Sequence, residues 1–142
     1  MHIAIGCDHR GLELKQSVIQ LVTQMGYSCE DMGCYTPEPV DYPDIAGKVS
    51  GAVAGGSYGI LICDTGIGMS IAANKVWGIR AALCHDVFNA SRARRHNDAN
   101  ILCLAARDNP EAVFEAVVTF ITTTFEGGRH QRRLDKITEM EG

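Results

Sequence analysis

Along the chain, short β-branched apolar runs alternate with longer stretches whose apolar residues recur at helical spacing. His2 to Cys7 predicts a first strand, ended by Asp8-His9-Arg10-Gly11. Leu14, Val18, Leu21, Val22 and Met25 then mark a helix, with Gly26 placed to stop it. Tyr27 to Met32 predicts a second strand. The segment from Cys34 to Pro43 carries three of the four prolines and reads as a loop. Pro43 suits the first turn of a helix whose face is Ile45, Ala46, Val49 and Val53, with Gly55-Gly56 ending it. Ile60 to Cys63 is a buried strand, followed by helix formers from Met69 to Lys75. A fourth strand is expected at Ile79 to Cys84, a polar helix at Asp86 to Arg95 and a fifth strand at Ala99 to Leu104. Asn109-Pro110 caps a helix marked by Val113, Val117, Val118 and Ile121, and a basic segment, Arg129 to Lys136, follows Glu126-Gly127-Gly128.

This strict alternation predicts an α/β fold: a doubly wound, five-stranded parallel sheet with helices on both faces, in the order 2-1-3-4-5. Ligands of such sheets sit at the carboxyl ends of the strands, near the switch in strand order. That rule selects Asp8 and His9 after strand one and Cys63 to Gly68 after strand three. His85, Asp86 and Arg107 are expected at the same edge.

The stretch between strand and helix, Asp64-Thr65-Gly66-Ile67-Gly68, presents free backbone N–H groups and a helix N-terminus to any oxyanion. Cys63 stands at its rim, where a thiol can be shifted toward thiolate. No Gly-Lys-Ser/Thr follows, so the stretch is not a phosphate-binding P-loop, and Ile71 stands where a dinucleotide fingerprint needs its third glycine. Gly68-Met-Ser-Ile-Ala72 misses a nucleophile elbow, because the strand ends at Cys63 rather than at the serine. A tight turn with a buried, inert cysteine fits the same residues.

Composition narrows the class. The 142 residues suffice for one domain with a real core; 46% are apolar and 21% charged, as in a globular protein. A net charge of -4 argues against a general nucleic-acid binder. The six cysteines, at 7, 29, 34, 63, 84 and 103, form no C-x-x-C pair, so zinc and redox motifs are unsupported. No signal segment or membrane-length apolar run is visible, and a reducing cytoplasmic setting is expected. Asp8-His9 offers acid and base roles, although Asp8 also suits a helix cap. His96-Asn97-Asp98 offers a general acid, or simply a polar turn that stops a helix. Arg129 and Arg133, four apart on one helical face, suit a phosphate, or else belong to a solvated tail.

Six motifs in register give the chain a resemblance to a known family. They are Gly6-Cys-Asp-His9, Asp41-Tyr-Pro43, Ile62-Cys-Asp-Thr-Gly-Ile-Gly-Met-Ser-Ile-Ala-Ala-Asn-Lys75, Gly78-Ile-Arg-Ala-Ala82, His96-Asn-Asp-Ala-Asn100 and Glu126-Gly-Gly-Arg-His-Gln-Arg-Arg133. Together they resemble type B ribose-5-phosphate isomerase over nearly the whole chain. The resemblance implies a Rossmann-like domain in a homodimer or tetramer with shared active sites and neither metal nor cofactor. It implies a sugar-phosphate substrate, with no nucleic-acid or membrane partner. It makes Cys63 the base that moves a proton between C2 and C1, with Thr65 beside the thiol and the N–H groups of Asp64, Thr65, Gly66, Ile67 and Gly68 around the enediolate. It has His96 open the sugar ring, and Asp8, His9 and Asn97 contact hydroxyls or help shuttle a proton. Arg107, Arg129 and Arg133 would hold the phosphate. The last two would come from the partner subunit, on which residues 125–142 would pack as an extension.

Base, ring-opening acid and oxyanion site are all expected at the carboxyl edge. Some members of the family use glutamate as base; Cys63 aligns this chain with the cysteine branch. Asp64 departs from the glycine usual after that cysteine. It is expected to weaken catalysis without abolishing it, both because aspartate tolerates left-handed backbone less well than glycine and because its charge disfavours nearby anions. Arg10 is a lesser departure that adds positive charge. The alternatives are an isomerase of a hexose 6-phosphate, such as allose or galactose 6-phosphate, and a non-catalytic module binding a sugar phosphate or nucleotide.

Overall fold

The computed structural model describes residues 1–53 and 56–142; Gly55, expected to help end a helix, lies outside the described residues. The elements run β1 (His2–Cys7), α1 (Leu12–Gln24), β2 (Ser28–Asp31), α2 (Tyr42–Val53), β3 (Tyr58–Cys63), α3 (Ile67–Ala73), β4 (Ala81–Leu83), α4 (Val87–Arg95), β5 (Ile101–Ala105), α5 (Pro110–Thr122) and α6 (Arg129–Met140). The α/β class and the all-parallel sheet match expectation. Asp86 and Asn109 cap α4 and α5, each side chain accepting a first-turn N–H. Asp8 does not cap α1: Gly11 takes that position, and the Asp8 carboxylate instead accepts the Arg10 N–H at 2.9 Å.

The strand order is β2-β1-β3-β5-β4, not 2-1-3-4-5. Burial explains the correction. All five residues of β5, Ile-Leu-Cys-Leu-Ala, are buried, so it takes an interior place against β3. The expected fourth strand shrinks to three half-buried residues, which suit an edge. Ile79 is drawn instead into a turn, its N–H donating to the Val76 carbonyl at 3.2 Å.

Side chains alternate across the sheet. Ile3, Ile5, Ile60, Ile62, Leu102 and Leu104 pack one way, with Val18, Val117 and Phe120 from the helices. Ala4, Leu61, Cys63 and Cys103 face the other way, against Val49, Val53 and Met69. Two buried charges escape the hydropathy pattern. Lys15 is fully buried and donates to Asp31 at 2.8 Å and to the Cys34 carbonyl, fastening the loop after β2 over the carboxyl edge. Arg94 lies over the Tyr58 ring and donates to the carbonyls of Ala99 and Thr123 and to Asp98. It fixes the turn between α4 and β5.

Candidate active site

Three adjacent strands, β1, β3 and β5, deliver Asp8, Cys63 and Arg107 to one carboxyl edge. Cys63 is only 6% exposed, and its Sγ accepts the Gly66 N–H at 3.2 Å. Burial pushes the thiols of Cys7 and Cys84 up to about 12 and that of the half-buried Cys29 to about 11, so these three stay protonated at neutral pH.

The turn after Cys63 depends on two glycines. Gly66 adopts φ 79°, and a Cβ there would sit 2.5 Å from Leu83 and 3.1 Å from the Leu104 backbone. A Cβ on Gly68 would meet the Tyr42 ring at 2.6 Å, so that glycine lets Tyr42 close over the turn. Tyr42 is thus a wall of the site that apolar periodicity could not reveal; only its place in the Asp41-Tyr-Pro43 motif signalled it. Thr65 Oγ1 accepts the Ile67 N–H at 3.3 Å, and the first-turn N–H groups of α3 lack intrahelical acceptors. His9 Nδ1 accepts the Val40 N–H at 3.3 Å, which assigns the ring proton to Nε2.

Asp64 is paired rather than strained. It is absent from the positive-φ residues; among the described non-glycines only Asp98, at φ 45°, is one. The backbone objection to an aspartate at 64 therefore does not apply. The Asp64 side chain turns to Arg107, Oδ2 to Nη2 at 2.7 Å. That hydrogen bond holds the Asp64 carboxyl below the usual carboxylate range, with Arg10 adding positive charge nearby. The pairing exists because β5, not β4, neighbours β3: the N–H groups of Ala106 and Arg107 donate to the carbonyls of Cys63 and Asp64. His85 reaches the same edge, 2.6 Å from Asp108.

His96 and Asn97 do not join this group within one chain. They follow α4, which runs back from the carboxyl edge and ends before β5 begins. Cys63 is level with Ala105, while His96 lies beyond Ile101 at the other end of that strand. At about 3.3 Å per residue the two are separated by roughly 13 Å or more along the sheet. The expectation that base and ring-opening acid share one edge is thus corrected for a single chain. The His96–Asp98 turn is both a helix stop and a fixed feature: Arg80 donates to the carbonyls of Asn97 and Asp98, and Arg94 to the Asp98 carboxylate.

The basic segment forms α6, close to that turn. The His130 ring stacks on His96 with centroids 4.3 Å apart. Burial, the His96 ring and Arg129 hold the His130 pKa below the usual imidazole value. His130 and Leu134 are the buried face of α6, whereas Arg129 and Arg133 are exposed one turn apart. Between β4 and α6 runs a groove of about 380 Å³, lined by Asn74, Arg80, Asn97, Leu134 and Ile137, far from Cys63. One chain therefore carries two separate clusters: a sulfur with a backbone nest at one edge, and an imidazole with two exposed arginines at the other.

A sequence profile described as Ribose/Galactose Isomerase matches residues 3–137. The chain belongs to the ribose/galactose isomerase family. Among these isomerases, ribose-5-phosphate isomerase B of Escherichia coli is 43% identical, the match covering 98% of this chain and 95% of that protein. The solved structure of Clostridium thermocellum ribose-5-phosphate isomerase B superposes with a TM-score of 0.97 at 46% identity, covering 99% and 97% of the two chains. The type B ribose 5-phosphate isomerase of Trypanosoma brucei gives 0.95 at 46% identity, with 99% and 98% covered. No helix among the described residues of this isomerase is long and apolar enough to cross a membrane.

Proposed function

We propose that the chain interconverts ribose 5-phosphate and ribulose 5-phosphate through a cis-enediolate, with Cys63 as base. The observation carrying this reading is the Gly66 N–H aimed at the Cys63 sulfur at the mouth of a backbone nest. A thiolate there removes the C2 proton, and the pair of electrons moves into a C1–C2 double bond as O1 becomes an oxyanion. The nest stabilises that charge, and loss of one such donor costs about 2.7–4 kcal/mol in other enzymes. The resulting thiol returns a proton to C1, while the O2 proton passes to O1 with the help of Asp8. Thr65 lies beside the thiol, and His9 and Asn97 bind hydroxyls. His96 gives a proton to the ring oxygen as the furanose opens, and Arg107, Arg129 and Arg133 take the phosphate.

Because His96, Asn97, Arg129 and Arg133 lie at the far edge of their own chain, the proposal requires a second copy to supply them. Exposed apolar residues support such a contact. Ile67 and Ile71 are 53% and 58% exposed, one turn apart beside the nest, and α6 exposes Ile137 and Met140. Residues 125–142 would then pack against the partner in a homodimer or in a tetramer built of two dimers. The six free cysteines fit a reducing, cytoplasmic setting.

Incubation with ribose 5-phosphate in deuterium oxide tests the chemistry. Solvent deuterium should enter C1 of the ketose and C2 of the aldose; turnover without exchange would favour a direct hydride shift from C2 to C1 over the enediolate. Parallel assays with allose and galactose 6-phosphates should give lower kcat/KM, and the reverse ranking would make the enzyme a hexose-phosphate isomerase. Arg133→Ala should raise KM about 10- to 150-fold, corresponding to roughly 1.5–3 kcal/mol for a charged hydrogen bond, with kcat little changed. An unchanged KM would remove Arg133 from the phosphate site.

Asp64 acts on this reading by occupying Arg107, which the incoming phosphate must recruit. Asp64→Gly should raise kcat/KM several-fold, chiefly through a lower KM. No gain would mean that the Asp64–Arg107 pair is neutral for catalysis.

A further inference from the structure

His96, Glu126 and His130 converge at the amino edge of the sheet, with one ligand atom from each lying within 4.8 Å of the others. They come from three places: the end of α4, the segment before α6 and the first turn of α6. Backbone bonds hold them together. The Glu126 N–H donates to the Arg95 carbonyl at 3.1 Å, and the His130 N–H to the Gly127 carbonyl at 3.2 Å.

His130 is 8% exposed, and its Nε2 is buried with no hydrogen-bond partner. The nearest Glu126 oxygen is 3.6 Å away, beyond a normal hydrogen bond. Stacking on His96 accounts for the packing of the ring but leaves this nitrogen unsatisfied, and such groups are rare in native proteins.

We infer that His96, Glu126 and His130 form a binding site for a divalent transition-metal ion with the preferences of zinc. Two imidazole nitrogens and a carboxylate suit such an ion, whereas magnesium and calcium prefer all-oxygen sites. Bonds of about 2.0–2.2 Å require the ligand atoms to draw in by about an ångström. His96 is half-buried and Glu126 exposed, so both have room to move, and the His96 ring must turn out of its stack. Arg95 lies 3.9 Å from Glu126, and Arg129 and Arg133 are the other cationic neighbours. They oppose a loosely held cation, so only direct ligation holds a metal here. The isomerisation proposed above gives this ion no role. On the proposed role of His96, on which this consequence rests, a bound ion occupies the ring-opening acid and inhibits reversibly.

Calorimetric titration of the full-length protein with Zn²⁺, alongside isomerase assays with and without chelator, tests the inference. One ion should bind per chain in the parent and equally in Cys63→Ala. Binding should weaken about tenfold or more in Glu126→Gln and in His96→Ala, the latter read by calorimetry alone. Parent activity should fall over the same Zn²⁺ range and return on chelation, while Glu126→Gln keeps basal activity and loses that sensitivity. Binding lost in Cys63→Ala, binding untouched in both ligand variants, or no binding at all would overturn the site. Binding to these residues without inhibition would uphold the metal site and overturn the role of His96.

Discussion

Cys63→Ala should lower kcat by about 10²–10⁴-fold, the usual contribution of a positioned base, while binding of ribose 5-phosphate persists. The Cys63 sulfur touches the Gly66 N–H at 3.2 Å, and the side chain is nearly buried among Leu61, Met69 and Cys103. Alanine removes one sulfur without moving the strand or the nest, so folding and phosphate contacts survive. Cys63→Ser separates base strength from shape, since a hydroxyl of similar size is a far weaker acid than a thiol and should also be inactive. Initial-rate assays and calorimetry with substrate distinguish the outcomes. A binding module would have no turnover to lose, and an enzyme with another base would keep most of its kcat.

Gly66→Ala should damage stability and catalysis together. Its φ of 79° costs an L residue roughly 1–2 kcal/mol. The new methyl would press on the Leu83 side chain, which can yield, and on the Leu104 backbone at 3.1 Å, which cannot. Overpacking of this kind costs about 1–3 kcal/mol, so a total loss of roughly 2–5 kcal/mol is expected in urea unfolding. The same shift turns the Gly66 N–H away from the sulfur, so kcat should fall even where the protein is fully folded. An unchanged unfolding midpoint would mean the turn relaxes freely, and an unchanged kcat would mean that this N–H does not serve the reaction.

Much of this arrangement was readable from residues alone. The apolar runs at His2–Cys7 and Ile60–Cys63 and the capped start at Asn109-Pro110 announce themselves, because burial on both faces and cap chemistry are local properties. Strand order is not local. It turns on β5 being apolar throughout and β4 being too short for the interior, a contrast visible in Ile-Leu-Cys-Leu-Ala against Ala-Ala-Leu only once the strand ends are known. The observed order matters for the site, since the Asp64–Arg107 pair exists only between neighbouring strands. His96 was assigned to the wrong edge for a different reason: a helix that follows a parallel strand must run back, so its last residue lies at the opposite end of the sheet. Lys15 and Arg94 are buried charges within helical patterns, and only tertiary partners explain them.

On the proposed mechanism, sulfur and imidazole act on one substrate although their own chain holds them at opposite edges. Cys63→Ala and His96→Ala, each inactive alone, should regain activity when unfolded together and refolded as a mixture. With random pairing, about a quarter of the parental activity is expected, because half of the dimers would carry one intact site of two. Recovery near that level is the predicted result; a mixture as inactive as its two components would contradict a site shared between chains.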